Sequence, residues 1–385
     1  MIVSRLILKN WRNFRSVDVA LGERVFIIGP NAAGKSNLLD VFRFLRDIAK
    51  QKGGGLQNAV DIRGGLSKIR CLAARQAPEV MIEIHLSEKA GQDPVWRYRL
   101  ELRQESRGSR QPFVSEEAVF KGREKLVQRP DAKDEKDKKR LTQTHLEQIS
   151  ANVDFRDIAD FFESFTYMHL VPQLVRHAAM FTGPGIEEDP FGRNFLERII
   201  RTPEKTRRSR LKKIEDALRL AVPQFKELKD FRDELGQPHL EAKYTHWRPE
   251  GARQQEDQFS DGTLRLIALF WLLLEANTPL LLEEPELSLN SAIIRELPGL
   301  MYRIQKSKKR QVLISTHSHE MLTDKGISGE EILLLTPDQE GTIVRTAAAV
   351  EEIRHLLEAG LSAADAVLPH AEVSALKQLP LLNFK

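Results

Sequence analysis

The sequence carries one cysteine, Cys71, in 385 residues. A single thiol can build neither an intrachain disulfide framework nor a multi-cysteine metal site. Long apolar runs are missing as well. The longest, Leu266 to Leu274, covers nine residues, under half of the roughly 20 that a membrane-spanning helix needs. The N-terminal stretch with Arg5, Lys9, Arg12 and Arg15 holds no continuous apolar segment of the secretory kind. No internal repeat is visible, and neither charge sign dominates: 59 basic and 55 acidic residues leave a net charge of +4. These absences lead us to expect a cytoplasmic protein with no membrane partner. What is present, 41% hydrophobic and 30% charged residues, is the balance of a globular chain and too apolar for wholesale disorder. The length suits two or three domain-sized units.

Periodicity gives a coarse map. Val3, Leu6 and Leu8 lead to a turn at Asn10 to Phe14, and Val25 to Ile28 is an apolar run of buried-strand type, so two strands are predicted in the first 30 residues. Leu38, Val41, Phe42 and Leu45 then follow helical spacing. From Glu79 to about Arg129 the period becomes two, as in half-exposed antiparallel strands. Pro130 to Arg140 is a mixed-charge run, expected to be a mobile solvated loop. Phe155 to Val222 is expected to be mostly helical, with breaks at Pro172, Pro184, Pro190 and Pro203. Short apolar strands alternating with helices from Leu264 to Leu335 indicate a mixed α/β core. The resulting division is residues 1–150, 151–235, 236–346 and a tail at 347–385.

Four segments carry chemistry. Gly29-Pro30-Asn31-Ala32-Ala33-Gly34-Lys35-Ser36 fits G-x-x-x-x-G-K-[ST] between a strand and an amphipathic helix. There the glycines let backbone N–H groups curl toward phosphate oxygens, aided by the helix dipole. Lys35 is placed to reach the β and γ phosphates, Ser36 to offer a hydroxyl to Mg²⁺, and Asn37 belongs to the same nucleotide-contacting run. Leu280 to Leu282 is a short strand that ends in Glu283-Glu284-Pro285-Glu286. Glu283 is a candidate to hold Mg²⁺ through water and Glu284 a candidate general base for an attacking water. Ser260-Asp261-Gly262 precedes an almost wholly apolar helix, Leu264 to Glu275. Its N-terminus suits an anion, although a simple helix cap would also explain Ser260 or Asp261. Finally, Val312 to Ile314 ends in Ser315-Thr316-His317, and His317 could contact a γ phosphate from a neighbouring strand end.

In this order, and with the opening Leu8-Lys9-Asn10-Trp11-Arg12-Asn13-Phe14, these elements resemble the ABC-type ATPase heads of the SMC, RecF and OLD group. They are most similar to its stand-alone ATPases with a Glu-Glu-Pro-Glu motif, and the resemblance covers most of residues 1–346. It implies an α/β P-loop NTPase fold, an ABC-type head with an antiparallel β subdomain and a helical insert, using ATP and Mg²⁺. It also implies that Ser260 to Gly262 caps the γ phosphate of ATP on a partner subunit, so that the active form is a head-to-head homodimer with two composite sites. Gln173, in Leu170-Val171-Pro172-Gln173, matches the metal-contacting glutamine loop least securely, against a plain turn residue.

The departures bear on function. Glu283-Glu284 replaces Asp-Glu, and Ser260-Asp261-Gly262-Thr263 differs from the transporter form, which argues against a transporter subunit. The broken insert is too short for SMC-like arms, and the acidic motif argues against strict RecF identity. The 68 residues after His317 hold no Glu followed by Asp-x-Asp, so the nuclease domain of OLD-type proteins is not expected.

Between Arg198 and Lys213 eight basic residues face one acid, Glu204, a local balance of +7. Arg201, Lys205, Arg207, Arg208, Arg210, Lys212 and Lys213 are therefore candidates for phosphate-backbone contact. A solvated face or a dock for an acidic protein is the other reading. Two functions follow: an ATP-driven clamp on double-stranded DNA, RecF-like in kind, or an ATP-gated scaffold that controls a separate nuclease or toxin with no nucleic-acid role. Stand-alone ATPases of the group resemble components of anti-phage defence systems.

Overall fold

The computed structural model describes all residues except 75–76, 78, 106–109, 181–188, 248–250 and 372–385. Pro184 and the apolar end from Leu379 to Phe384 lie outside the described residues. In chain order the first elements are β1 (Ile2–Trp11), β2 (Phe14–Ala20), β3 (Arg24–Ile28), α1 (Lys35–Ala49), α2 (Leu56–Asp61), α3 (Leu66–Ile69) and strands β4 (Val80–Ser87), β5 (Trp96–Gln104), β6 (Pro112–Lys121) and β7 (Glu124–Arg129). Next come α4 (Ala132–Lys136), α5 (Arg156–Glu163), β8 (Thr166–Met168), α6 (Pro172–Arg176), α7 (Phe195–Arg201), α8 (Glu204–Ala221), β9 (Phe225–Arg232), β10 (Pro238–Tyr244) and β11 (Ala252–Gln255). The last are α9 (Asp261–Glu275), β12 (Leu280–Glu283), α10 (Ser291–Lys308), β13 (Val312–Ser315), β14 (Ile332–Asp338), β15 (Gly341–Thr346), α11 (Glu351–Glu358) and α12 (Ala363–Ala371).

Two compact units result. Unit one takes Met1–Thr166, Thr278–Leu281 and the chain from Arg310 on; unit two takes Tyr167–Asn277 and Leu282–Lys309.

Unit one begins with an antiparallel sheet in the order β2-β1-β4-β5-β6-β7. The period of two read from residues 79–129 appears here, with Trp96, Tyr98, Leu100 and Leu102 all buried along β5. Three strands, not two, form in the first 30 residues. The extra one, β2, buries Phe14, Val17 and Val19, and its signal is broken by the adjacent polar pair Arg15-Ser16. The second sheet has the order β15-β14-β3-β13-β12-β8. At its middle β3 is buried at all five positions, as its unbroken apolar run requires. It pairs in parallel with β13 (Ile27 opposite Ser315) and with β14 (Ile28 opposite Leu334). Helix α1 follows β3 and is buried on nearly every side, Trp11 and Phe44 meeting at 5.2 Å between ring centroids.

The charged run 130–140 is anchored, not mobile. Asp131 caps α4 by accepting from the Lys133 and Asp134 amides. Asp134, although charged, is 0% exposed. Its partner Arg129 is 1% exposed and donates to Asp134 Oδ2 at 2.9 Å and to Glu117 Oε2 at 3.0 Å. Glu117 also accepts from Tyr98 Oη and from the amides of His145 and Leu146. A charge run looks solvated in one dimension because its partners, Glu117 and Arg129, lie on strands outside it.

Unit two holds α6–α10 and the sheet β11-β10-β9. The expected helical stretch 155–222 does contain α5 to α8, but β8 interrupts it, and β9 falls inside the segment 151–235. Three residues of strand are too short for an alternation to show. Helix α9 buries ten of its fifteen residues, with Trp271 fully inaccessible.

Burial alone would push the Asp134 carboxyl up; hydrogen bonds from Arg129, the Asp131 amide and Arg140 overcome this and hold it well below the usual carboxylate range. A carboxyl depressed in the folded state stabilises above its unfolded pKa of about 3.9, and that contribution is lost as pH falls below it. Removing one partner of a buried pair strands the others, at about 3–5 kcal/mol. Arg129→Met should therefore lower the melting temperature markedly at pH 7, with the gap to the unsubstituted protein closing below about pH 4. Thermal melts across pH check both the loss and its acid dependence.

Candidate nucleotide site

Unit one carries the phosphate loop where the sequence pattern put it. Strand β3 stops at Ile28, Gly29 to Gly34 curl, and Lys35 opens α1. A Cβ at Gly29 would lie 2.7 Å from the Leu335 carbonyl oxygen, so only glycine lets the loop leave β3 this close to β14. Gly34 has φ 98°, and a Cβ there would collide with the Asn13 amide at 2.3 Å. Ala32 also adopts a left-handed φ of 64°, a conformation that costs an L-residue about 1–2 kcal/mol. Such strain is held where the surroundings over-determine it. Lys35 Nζ donates to the Gly29 and Pro30 carbonyls at 2.9 and 3.3 Å, which folds the ammonium over its own loop. No side chain caps α1 and no acid stands in its first turn. The positive helix end and the ammonium thus point at one place, which fits a polyphosphate.

The opening motif holds this loop. Trp11 Nε1 donates to the Asn37 carbonyl at 2.8 Å. Asn13 Nδ2 donates to the Ala33 carbonyl and to Thr342 Oγ1, both at 2.7 Å, and Asn37 Nδ2 donates to Asn13 Oδ1 at 2.9 Å. The Thr342 amide donates to the Asn13 carbonyl at 2.7 Å. Beside Ser36, which is exposed, opens a polar cleft of about 460 Å³ lined by Arg12, Asn37, Asp40, Arg43, Asp47 and Arg63 among others. In it Asp40 accepts from Arg12 at 3.0 Å and Arg63 at 2.9 Å. Burial pushes the Asp40 carboxyl up, but Arg63, Arg43 and Arg12 outweigh it and hold the pKa below the usual range. The Arg46 guanidinium, buried at α1, is pushed down to about 10. His317 emerges exposed at the carboxyl end of β13, next to β3, with the Thr316 amide donating to Ile27 O at 3.2 Å. The histidine and the loop therefore share one end of one sheet.

Unit two holds the acidic and signature segments. Glu283 closes β12 and its Oε2 accepts from Tyr167 Oη; its carbonyl lies 3.2 Å from His169 Nδ1. Glu284 has a left-handed φ of 45°, a strained backbone of the kind that accumulates at functional positions. Ser260 caps α9: its Oγ accepts from the Thr263 amide at 3.1 Å. Asp261 pairs with Arg176 at 2.6 Å, and Gln173 Nε2 donates to Asp261 Oδ2 at 3.5 Å. A Cβ on Gly262 would come within 2.8 Å of the Ser288 carbonyl oxygen, so the signature glycine is fixed by its approach to the loop after the acidic motif. The structure thus brings Gln173 to Asp261 and adds Tyr167, His169 and Arg176, which sequence reasoning missed. Their only signal is their position beside Leu170 to Gln173.

The basic segment is largely neutralised by its own fold. Arg201 and Arg208 pair with Glu197 and Glu204, and Lys212 with Glu215 and Asp216. Arg207 meets Asp230 at 2.9 Å, and Arg210 donates to the Glu275 carbonyl at 2.7 Å with its guanidinium 5.2 Å from the Trp271 ring centroid. Arg207 and Arg210 thus have partners within this chain. Counting charge along 198–213 omitted Glu215, Asp216, Asp230 and Glu275, which the fold supplies.

No group of three or more His, Cys, Asp or Glu side chains could hold a metal among the described residues. No helix among the described residues is long and apolar enough to cross a membrane.

A Gly34→Ala change combines a left-handed φ with a clash on the Asn13 amide. It should abolish ATP binding in calorimetry, whereas Gly53→Ala, at a positive φ with open space around it, should leave binding intact.

The same architecture recurs in solved structures. An SMC head bound to the C-terminal winged-helix domain of ScpA matches with a TM-score of 0.52 at 14% identity, covering 90% of this chain and 98% of that one. The SMC head with an extended coiled coil from Pyrococcus furiosus, bound to the ScpA C-terminal domain, matches with a TM-score of 0.50 at 14% identity, covering 93% and 99%. At such identity the likeness establishes the fold alone, that of an SMC head domain. No curated protein matches the chain. Residues 24–323 match the family described as "AAA domain, putative AbiEii toxin, Type IV TA system", and with most of its length inside that match the chain belongs to this family of ATPases.

Proposed function

We propose that this chain hydrolyses ATP with Mg²⁺, pairs with a second copy of itself when ATP is bound, and uses closure and reopening to act on double-stranded DNA or on a separately encoded nuclease or toxin in anti-phage defence. The carrying observation is the phosphate loop, whose uncapped α1 terminus and Lys35 ammonium converge on one anion site. Bound Mg²⁺ would neutralise developing charge on the phosphates. Lys35 orients the β and γ phosphates, Ser36 and Glu283 hold the ion, Glu284 takes the proton of the attacking water, and His317 meets the γ phosphate. Gln173 and Ser260 to Gly262 complete the site from a signature segment that, in a head-to-head pair, acts on the ATP of the other copy.

Two further observations bear on the output. The SMC heads that share the fold are described in complexes with ScpA domains, which supports a head that carries a separate protein. Intramolecular pairing of the α8 cations favours the ATP-gated scaffold over a DNA clamp working through that helix, RecF-like or otherwise.

Glu284→Gln keeps the site's shape and removes the base. In light scattering with Mg²⁺ it should double in mass on adding ATP, and Lys35→Ala should neither bind ATP nor dimerise. A Glu284→Gln monomer in both states contradicts the composite-site reading.

A further inference from the structure

We infer that the exposed face of α10, from Arg295 to its C-terminal end, binds the phosphate backbone of double-stranded DNA, and that the basic segment on α8 does not. This rests on the DNA reading above. From Arg295 to Lys309 the sequence has five cations, Arg295, Arg303, Lys306, Lys308 and Lys309, against one acid, Glu296. Among the described residues none of the five forms an ion pair, whereas on α7 and α8 Arg201, Arg208 and Lys212 do, which leaves Lys205 and Lys213 as the exposed, unpaired cations of that segment. Arg295, Arg303, Lys306 and Lys309 are exposed. Helix α10 buries Ile294, Leu297, Pro298, Met301 and Gln305, so the 3.6-residue period sends Arg295, Tyr302 and Lys306 down one outer stripe, with Arg303 beside it. Gly299 leaves that stripe without a side chain between Arg295 and Tyr302. From Arg295 to Lys309 the stripe is about 20 Å long at 1.5 Å per residue.

A helix C-terminus favours cations, which accounts for Lys306, Lys308 and Lys309 near the end. It does not account for Arg295 and Arg303, which lie outside the last turn. The charges stand on flexible stems along one helix face, and such heads can follow a regular row of phosphates and gain affinity by counterion release. A single strand would call for aromatic stacking platforms in a groove. The one aromatic here, Tyr302, is 43% exposed and has Lys306 Nζ 5.5 Å from its ring centroid.

The test is fluorescence anisotropy of a labelled duplex across a salt series, with ATP and Mg²⁺. Arg295→Ala/Arg303→Ala/Lys306→Ala should flatten the slope of log K against log salt by about 2–3, near 0.9 for each lost contact, with an unchanged melting temperature. Lys205→Ala/Arg208→Ala/Lys213→Ala should leave the slope as it was. The reverse pattern would overturn the inference while keeping the DNA reading. No duplex binding by the unsubstituted chain at low salt would overturn both. Competition by single-stranded DNA or polyglutamate at lower concentrations than unlabelled duplex would overturn the duplex assignment.

Discussion

The nucleotide end of unit one depends on the side-chain amide of Asn13. Its two N–H bonds go to Ala33 O and Thr342 Oγ1, and its oxygen receives Asn37 Nδ2. Ala33 O can only accept, which fixes the amide's orientation. One residue of the N-terminal hairpin thereby ties together the loop, the first turn of α1 and the start of β15. The strain at Ala32 and the collapse of Lys35 onto its own carbonyls become tolerable because this brace leaves the loop little else to do. Glycine at 34 is then a consequence of the brace, since the Asn13 amide fills the space a side chain would take.

In unit two a comparable constraint is the contact of Gly262 with the backbone at Ser288. It joins the start of α9 to the turn after the acidic motif, while Arg176 and Gln173 hold Asp261 from α6. Helix α6, the start of α9 and the turn after Glu283-Glu284 are therefore mechanically linked inside one unit. A movement of α6 would be felt at Asp261 directly.

Much of this could be read from the sequence, and the parts that could not share a cause. The phosphate loop, β12 with its acids and the buried α9 were legible because each writes its structure in consecutive residues: a spaced glycine pair, an apolar run ending in carboxylates, an unbroken apolar helix. Asn13 was visible as part of a motif, but its partners Ala33 and Thr342 were not, since one of them lies 329 residues away. Charge was the hardest to read. The run 130–140 seemed solvated and is pinned by the buried Arg129, whereas in the segment 198–213, which seemed free, Arg198, Arg207, Arg210 and Lys212 meet Glu215, Asp216, Asp230 and Glu275. Charge counted along the chain misses whatever the fold brings in from the side.

The most direct test of this account is a double-mutant cycle on ATP affinity, measured by calorimetry, using Asn13→Ala and Asn37→Ala. If the two amides act as one brace on the phosphate loop, removing the second after the first should cost less than removing it alone, with a coupling of about 1 kcal/mol, or roughly fivefold in affinity. Strictly additive losses, or no loss from Asn13→Ala, would contradict it.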